Sequence, residues 1–109
     1  MYKLIFGKTF REDVKSSVNY IRQTLQAPVA AGRLKDEIKK TYKTIRDTPF
    51  IYPVVPNEYL ASLGFRFTMV KNYMMFYIVE GNQINIVRFL YGHRDWINIL
   101  KDINIIEKQ

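Results

Sequence analysis

The chain has 109 residues, 48% hydrophobic and 25% charged. That size and balance suit one folded domain spanning residues 1–109 and exclude whole-length disorder or a fibrous repeat. It has no cysteine, which removes disulfide frameworks, thiol nucleophiles and thiolate zinc sites, and fits a reducing cytoplasm. The apolar run Leu4-Ile5-Phe6 is far too short for a signal peptide or a membrane span, so a soluble cytoplasmic domain without membrane contact is expected. Seventeen basic against ten acidic residues give a net charge of +7. Residues 1–47 hold 11 basic and 5 acidic side chains, residues 48–109 hold 6 and 5, so the excess lies in the first half. Such a charge favours nucleic acid or an acidic protein segment as partner, through long-range attraction.

Residues 2–6 read as a short first strand, broken by Gly7. Thr9-Phe10-Arg11-Glu12 reads as a capping box. Phe10, Val14, Val18, Ile21 and Leu25 then follow at helical spacing and should form one apolar stripe, ending near Gln26. Pro28 suits the first turn of a second helix, because it has no amide to leave unpaired. Ala31, Leu34, Ile38, Tyr42 and Ile45 carry that helix to Arg46. An antiparallel helical hairpin results, with Arg22, Arg33, Lys35, Lys39, Lys40 and Lys43 on its outer faces.

Pro49, Pro53 and Pro56 forbid regular structure. Residues 48–63 should therefore be an ordered loop, packed by Phe50, Ile51, Tyr52 and Tyr59, with a helical turn over residues 58–63. After Gly64 the period changes to two, and residues 65–70, 74–80 and 84–91 read as three strands. Lys71-Asn72 and Gly81-Asn82 suit the hairpin turns between them. Asp95 should cap a short last helix through Trp96, Ile99, Leu100 and Ile103, and residues 106–109 should fray. The fold class is α+β: an N-terminal strand added to a twisted antiparallel sheet, with the hairpin on one face, in the order β-α-α-β-β-β-α.

That order, with Val70-Lys71-Asn72-Tyr73-Met74-Met75-Phe76-Tyr77 and Ile86-Val87-Arg88-Phe89-Leu90-Tyr91-Gly92-His93-Arg94-Asp95-Trp96, resembles the RelE/ParE superfamily of type II toxin–antitoxin, or plasmid stabilisation, toxins. The resemblance implies a growth-arresting toxin held harmless by a cognate antitoxin, and allows a toxin–antitoxin hetero-oligomer. RelE-like members cut mRNA on the ribosome, and ParE-like members bind and inhibit DNA gyrase. Cleavage by a ribose 2′-hydroxyl needs a proton acceptor, a donor and cations over the phosphorane charge. Carried across residue by residue, the nuclease pattern finds a cation at Arg66 and at Arg94. Where it has an Arg after Tyr73 and a Tyr near the chain end, this sequence has Met74 and Leu100. His93 could serve as acid or base, but stands without a partner for the second proton transfer. The segment from Arg88 to Trp96 looks closer to ParE-type members.

The resemblance therefore implies target contacts at Arg66, Arg88, His93 and Arg94, and Arg66, His93 and Arg94 would be the catalytic set of a ribonuclease. Arg88 lies inside an apolar strand, so it needs a partner such as Glu80, Asp95 or backbone carbonyls. Trp96 reads as a core anchor, and Tyr73 and Tyr77 as sheet packing. The hairpin lysines Lys39, Lys40 and Lys43 are either a solvated face or the attraction for an acidic antitoxin segment. No phosphate loop, metal-binding spacing or nucleophile triad is present, so no cofactor or metal is expected.

Overall fold

A computed structural model describes residues 1–108, with side chains through residue 103. Its elements are β1 (Lys3–Phe6), α1 (Lys8–Asn19), a π-helical turn (Tyr20–Thr24), α2 (Pro28–Asp47), α3 (Glu58–Ser62), β2 (Arg66–Val70), β3 (Tyr73–Glu80), β4 (Gln83–Tyr91) and α4 (Trp96–Lys108). The expected order thus holds. The expected fraying of residues 106–109 falls on side chains and a last residue outside the described ones.

The four strands form one sheet in the order β1-β4-β3-β2. The meander pairs antiparallel, but β1 lies parallel to β4, with Phe6 opposite Ile86. The sheet is therefore mixed, not purely antiparallel. The parallel alignment lets α1 continue in the same direction along the rest of the β4 edge, where Asp13 meets Phe89. Gly7 makes the junction: its amide bonds to the Ile86 carbonyl, and a Cβ there would lie 3.2 Å from that same oxygen. The helix accordingly starts at Lys8 with Gly7 as its cap and no side-chain capping bond. The capping box expected at Thr9 does not form, because the strand leads into the helix before Thr9 is reached.

Each face of the sheet carries its own core. On one, the α1–α2 hairpin buries Phe10, Val18, Leu34, Ile38 and Ile45 against Met75, Tyr77, Ile84, Ile86 and Phe89. On the other, Val55, Leu60, Phe65, Met74, Phe76, Leu90 and Leu100 pack together beneath α3 and α4, with Trp96 stacked 5.6 Å from Phe76. Pro28 occupies the first turn of α2, as its missing amide suggests. Two expectations fail on burial. Leu25 is 54% exposed because the π-helical turn rotates it off the apolar stripe, and Gln26 leaves the turn with φ +50°. Phe50, Ile51 and Tyr59 of the 48–63 loop lie largely exposed, Phe50 against Tyr2 and Arg66, while Tyr52 packs against the first core and buried Val55 and Leu60 anchor the loop. The last helix is also longer than expected, running to Lys108.

Candidate functional site

β1 covers only the first half of the β4 edge. Over the second half α1 supplies one carboxylate, Asp13. It accepts from Arg88 Nε at 2.6 Å, from Arg88 Nη2 at 3.0 Å and from the Phe89 amide at 3.0 Å. A β-bulge leaves Val87 unpaired between the Phe76–Arg88 and Tyr77–Ile86 pairs; such bulges re-aim the neighbouring side chain, and here Arg88 reaches the helix beside the sheet. Both side chains of the pair are about seven-eighths buried, and the bidentate geometry is the strong form of this contact. Arg88 is paired, as a strand-interior cation must be, but with Asp13 and not with Glu80, Asp95 or a carbonyl. Glu80 instead accepts from Asn85, and Asp95 from Asn98. Placing Arg88 on a target surface therefore has no geometric support.

Beyond this latch the hairpin and the end of the sheet separate to leave a groove of about 1030 Å3. Its hairpin wall is Tyr20, Ile21, Leu25, Ala30, Arg33 and Leu34, and its sheet wall is Lys71, Asn72, Tyr73, Phe89, Tyr91 and Arg94. Asp13, Ser16 and Ser17 form the floor between them. Aromatic rings run outward along the sheet wall: Tyr73 stacks on Phe89 at 4.8 Å, Tyr91 meets Tyr73 at 5.7 Å, and His93 lies 5.3 Å from Tyr91. Burial pushes the Tyr73 hydroxyl's pKa up, and a hydrogen bond with Ser17 pulls against that. The only carboxylate in the lining is Asp13, already committed to Arg88 and Phe89. Arg33, Lys71 and Arg94 are exposed and enter none of the ion pairs among the described residues. The groove is therefore cationic, with aromatic and aliphatic walls.

The residues singled out from sequence do not converge. Arg94 lines the groove, and His93, exposed and outside that lining, lies against Tyr91. Arg66 opens β2 at the end away from the β2–β3 turn, and there its Nη1 donates to the Tyr52 carbonyl at 2.6 Å and its guanidinium covers the Phe50 ring at 5.0 Å. It does not line the groove. Met74 and Leu100, standing where the nuclease pattern has Arg and Tyr, are buried together in the second core. Lys39, Lys40 and Lys43 are exposed along α2 away from the groove. Lys40 pairs with Glu37 at 3.6 Å and Lys43 with Asp47 at 3.3 Å; the Lys43 hydrogen bond leads in holding the Asp47 carboxyl below its usual range.

Sequence reasoning missed Asp13, Tyr20 and the joint placement of Arg33 and Lys71. The sequence placed Lys71 only as a hairpin-turn residue, and the structure adds its conformation. It holds φ +55° in the hairpin turn, a conformation for which Gly or Asn is the ordinary choice. Among the described residues no group of His, Asp and Glu could hold a metal ion, and no helix is long and apolar enough to cross a membrane.

Comparison with known proteins closes the question of kinship. No curated protein matches the chain. Among solved structures it resembles a chain of the chromosomal ParDE system from P. aeruginosa, with a TM-score of 0.68 and 18% identity, covering 84% of this chain and 96% of that one. It also resembles YafQ from E. coli strain BL21(DE3), with a TM-score of 0.54 and 12% identity, covering 84% and 93%. At those identities the likeness shows the α+β fold. The sequence pattern of the ParE toxin of type II toxin–antitoxin systems, parDE, matches residues 4–96, from the first strand to the start of α4. With that span matched, the chain belongs to the ParE toxin family of type II toxin–antitoxin systems.

Proposed function

We propose that this toxin arrests growth by binding and inhibiting DNA gyrase, without covalent chemistry of its own, and that a cognate antitoxin neutralises it. The observation that carries the reading is the burial of Met74 and Leu100, 7% and 0% exposed, at the two positions where a ribosome-dependent nuclease would place Arg and Tyr. General acid–base cleavage needs two proton-transfer groups within reach of one phosphate. Here those positions are core packing, and Arg66 is bound to its own loop. A binding toxin needs only an exposed surface, which the groove and the His93–Arg94 turn supply.

Purified toxin should inhibit gyrase supercoiling, or trap cleaved DNA, at stoichiometric amounts. No effect at large excess would overturn the reading. The alternative is a ribosome-dependent mRNA endoribonuclease, favoured by the exposed His93 and Arg94 at the end of the sheet. Site-specific mRNA cleavage within minutes of induction, abolished by Arg94→Ala, would establish it. Intact messages with an induced DNA-damage response support gyrase.

The family and the ParDE likeness support an antitoxin as partner. Lys39, Lys40 and Lys43 serve to attract its acidic segment, and apolar burial beside the hairpin supplies most of the affinity, since exposed ion pairs are weak and salt-screened.

A further inference from the structure

Three features of the groove are not explained by a surface that is merely basic. Its cations come from three separate elements: Arg33 from α2, Lys71 from the β2–β3 turn and Arg94 from the turn after β4. They face a cleft whose own carboxylate is already neutralised by Arg88. Lys71 occupies a left-handed position, φ +55°, where a non-glycine side chain carries a conformational cost. Beside these cations Phe89 and Tyr73 stack, Tyr91 meets Tyr73 edge-on and His93 lies tilted against Tyr91, so that the row runs from the core into solvent, where Tyr91 is 42% exposed. Tyr20, 52% exposed, stands on the opposite wall. A polyanionic protein segment accounts for the cations but leaves the exposed rings of Tyr91 and Tyr20 without a use. A nucleic-acid strand accounts for both, because unstacked bases lie on aromatic faces while phosphates meet cations. The cleft has the size of a ligand pocket, not of a duplex-wide surface, so the strand it fits is single.

We propose that the groove between the hairpin and the sheet end binds a short single-stranded polynucleotide, with phosphates on Arg33, Lys71 and Arg94 and a base on Tyr91. The contact is binding only, and it lies across the sheet from the core that holds Met74 and Leu100. It stands whether or not gyrase is the target.

Fluorescence anisotropy of full-length toxin with labelled dT12, rU12 and a 12-base-pair duplex tests it. Single strands should bind more tightly than the duplex, and the tighter of dT12 and rU12 names the polymer. Three phosphate contacts give a salt slope near about −2, or roughly a 15-fold loss between about 50 and about 200 mM salt. Lys71→Gln and Arg94→Gln should each reduce that slope by about 0.7. Tyr91→Leu should weaken binding about tenfold with the slope unchanged. Lys3→Gln and Lys35→Gln remove equal charge at exposed positions outside the groove, and should leave affinity within about twofold. Urea unfolding of each variant checks that it is folded. Equal losses from Lys3→Gln or Lys35→Gln would reduce the effect to net charge and overturn the proposal. So would duplex binding as tight as single-strand binding, or displacement of dT12 by poly-L-glutamate of matched charge as readily as by unlabelled dT12. Gyrase inhibition with no oligonucleotide binding would sink this inference while leaving the gyrase reading intact.

Discussion

Asp13 satisfies three donors at once, two on Arg88 and the amide of Phe89. At the residue scale this is the contact on which the groove depends, since it holds α1 against the open edge of β4. Asp13→Ala would leave a largely buried guanidinium without its counter-charge and a strand amide without an acceptor. Removing one member of such a pair costs about 3 kcal/mol. Urea unfolding should show a lower midpoint with an unchanged slope; a midpoint equal to wild type would mean that water replaces the carboxylate at no cost. Tyr77 makes a second buried contact, donating to the Pro49 carbonyl at 2.8 Å. Tyr77→Phe should cost about 1–2 kcal/mol by leaving that carbonyl unpaired. Burial pushes the hydroxyls of Tyr42 and Tyr77 from 10.0 up to about 12. A raised phenol pKa means that the folded state keeps its proton longer than the unfolded one. This stability is therefore complete below pH 10 and is lost as pH rises from 10 towards 12. Unfolding midpoints measured across that window should fall, and fall less steeply in Tyr77→Phe.

At the scale of elements, the β2–β3 turn shows how a local rule can be set aside. Lys71 was readable as a turn residue, and Asn or Gly would hold φ +55° at lower cost. Lys71→Asn should raise stability by up to about 1 kcal/mol while weakening whatever anion the groove binds. Thermal unfolding and binding measured on the same variant would show the two moving in opposite directions. Unchanged stability would mean that the turn relaxes to suit lysine. Gly92 is constrained from the other side. Its amide donates to the Asn72 carbonyl at 2.8 Å, and a Cβ would lie 3.2 Å from that oxygen. The two turns at the sheet end are thereby held together, which brings Lys71 and Arg94 to one rim.

For the whole molecule, charge and burial have different tasks. On the proposed reading, a net charge of +7 would accelerate encounter with an acidic antitoxin segment, whereas buried apolar surface would set how long the complex lasts. Stopped-flow association with the antitoxin should slow as salt rises while the dissociation rate changes little. Charge reversal at Lys39, Lys40 and Lys43 should lower the association rate. If the rate ignored both salt and these reversals, the α2 lysines would be only a solvated face.

The elements were determined by the sequence alone, because helical spacing, period-two alternation and Gly and Pro punctuation are local signals. The stripe from Ala31 to Ile45, Pro28 at the start of α2 and the three meander strands all appear where those signals place them. Membership of the toxin superfamily was legible for a related reason: the order of elements and the segment from Arg88 to Trp96 lie along the chain in reading order. Only the tertiary structure decided what depends on distant residues meeting. Arg88 and Asp13 are 75 positions apart, and a strand-interior Arg announces its need for a partner without naming it. The exposure of Phe50 and Ile51 turned on which apolar residues of the loop Val55 and Leu60 left outside. The groove itself has no sequence signature. Arg33 read as a surface cation, Lys71 as a turn residue and Arg94 as a target contact, and only the hairpin and the two sheet turns set them around one cleft. Charges become a site through proximity in space, and the order of the sheet creates that proximity.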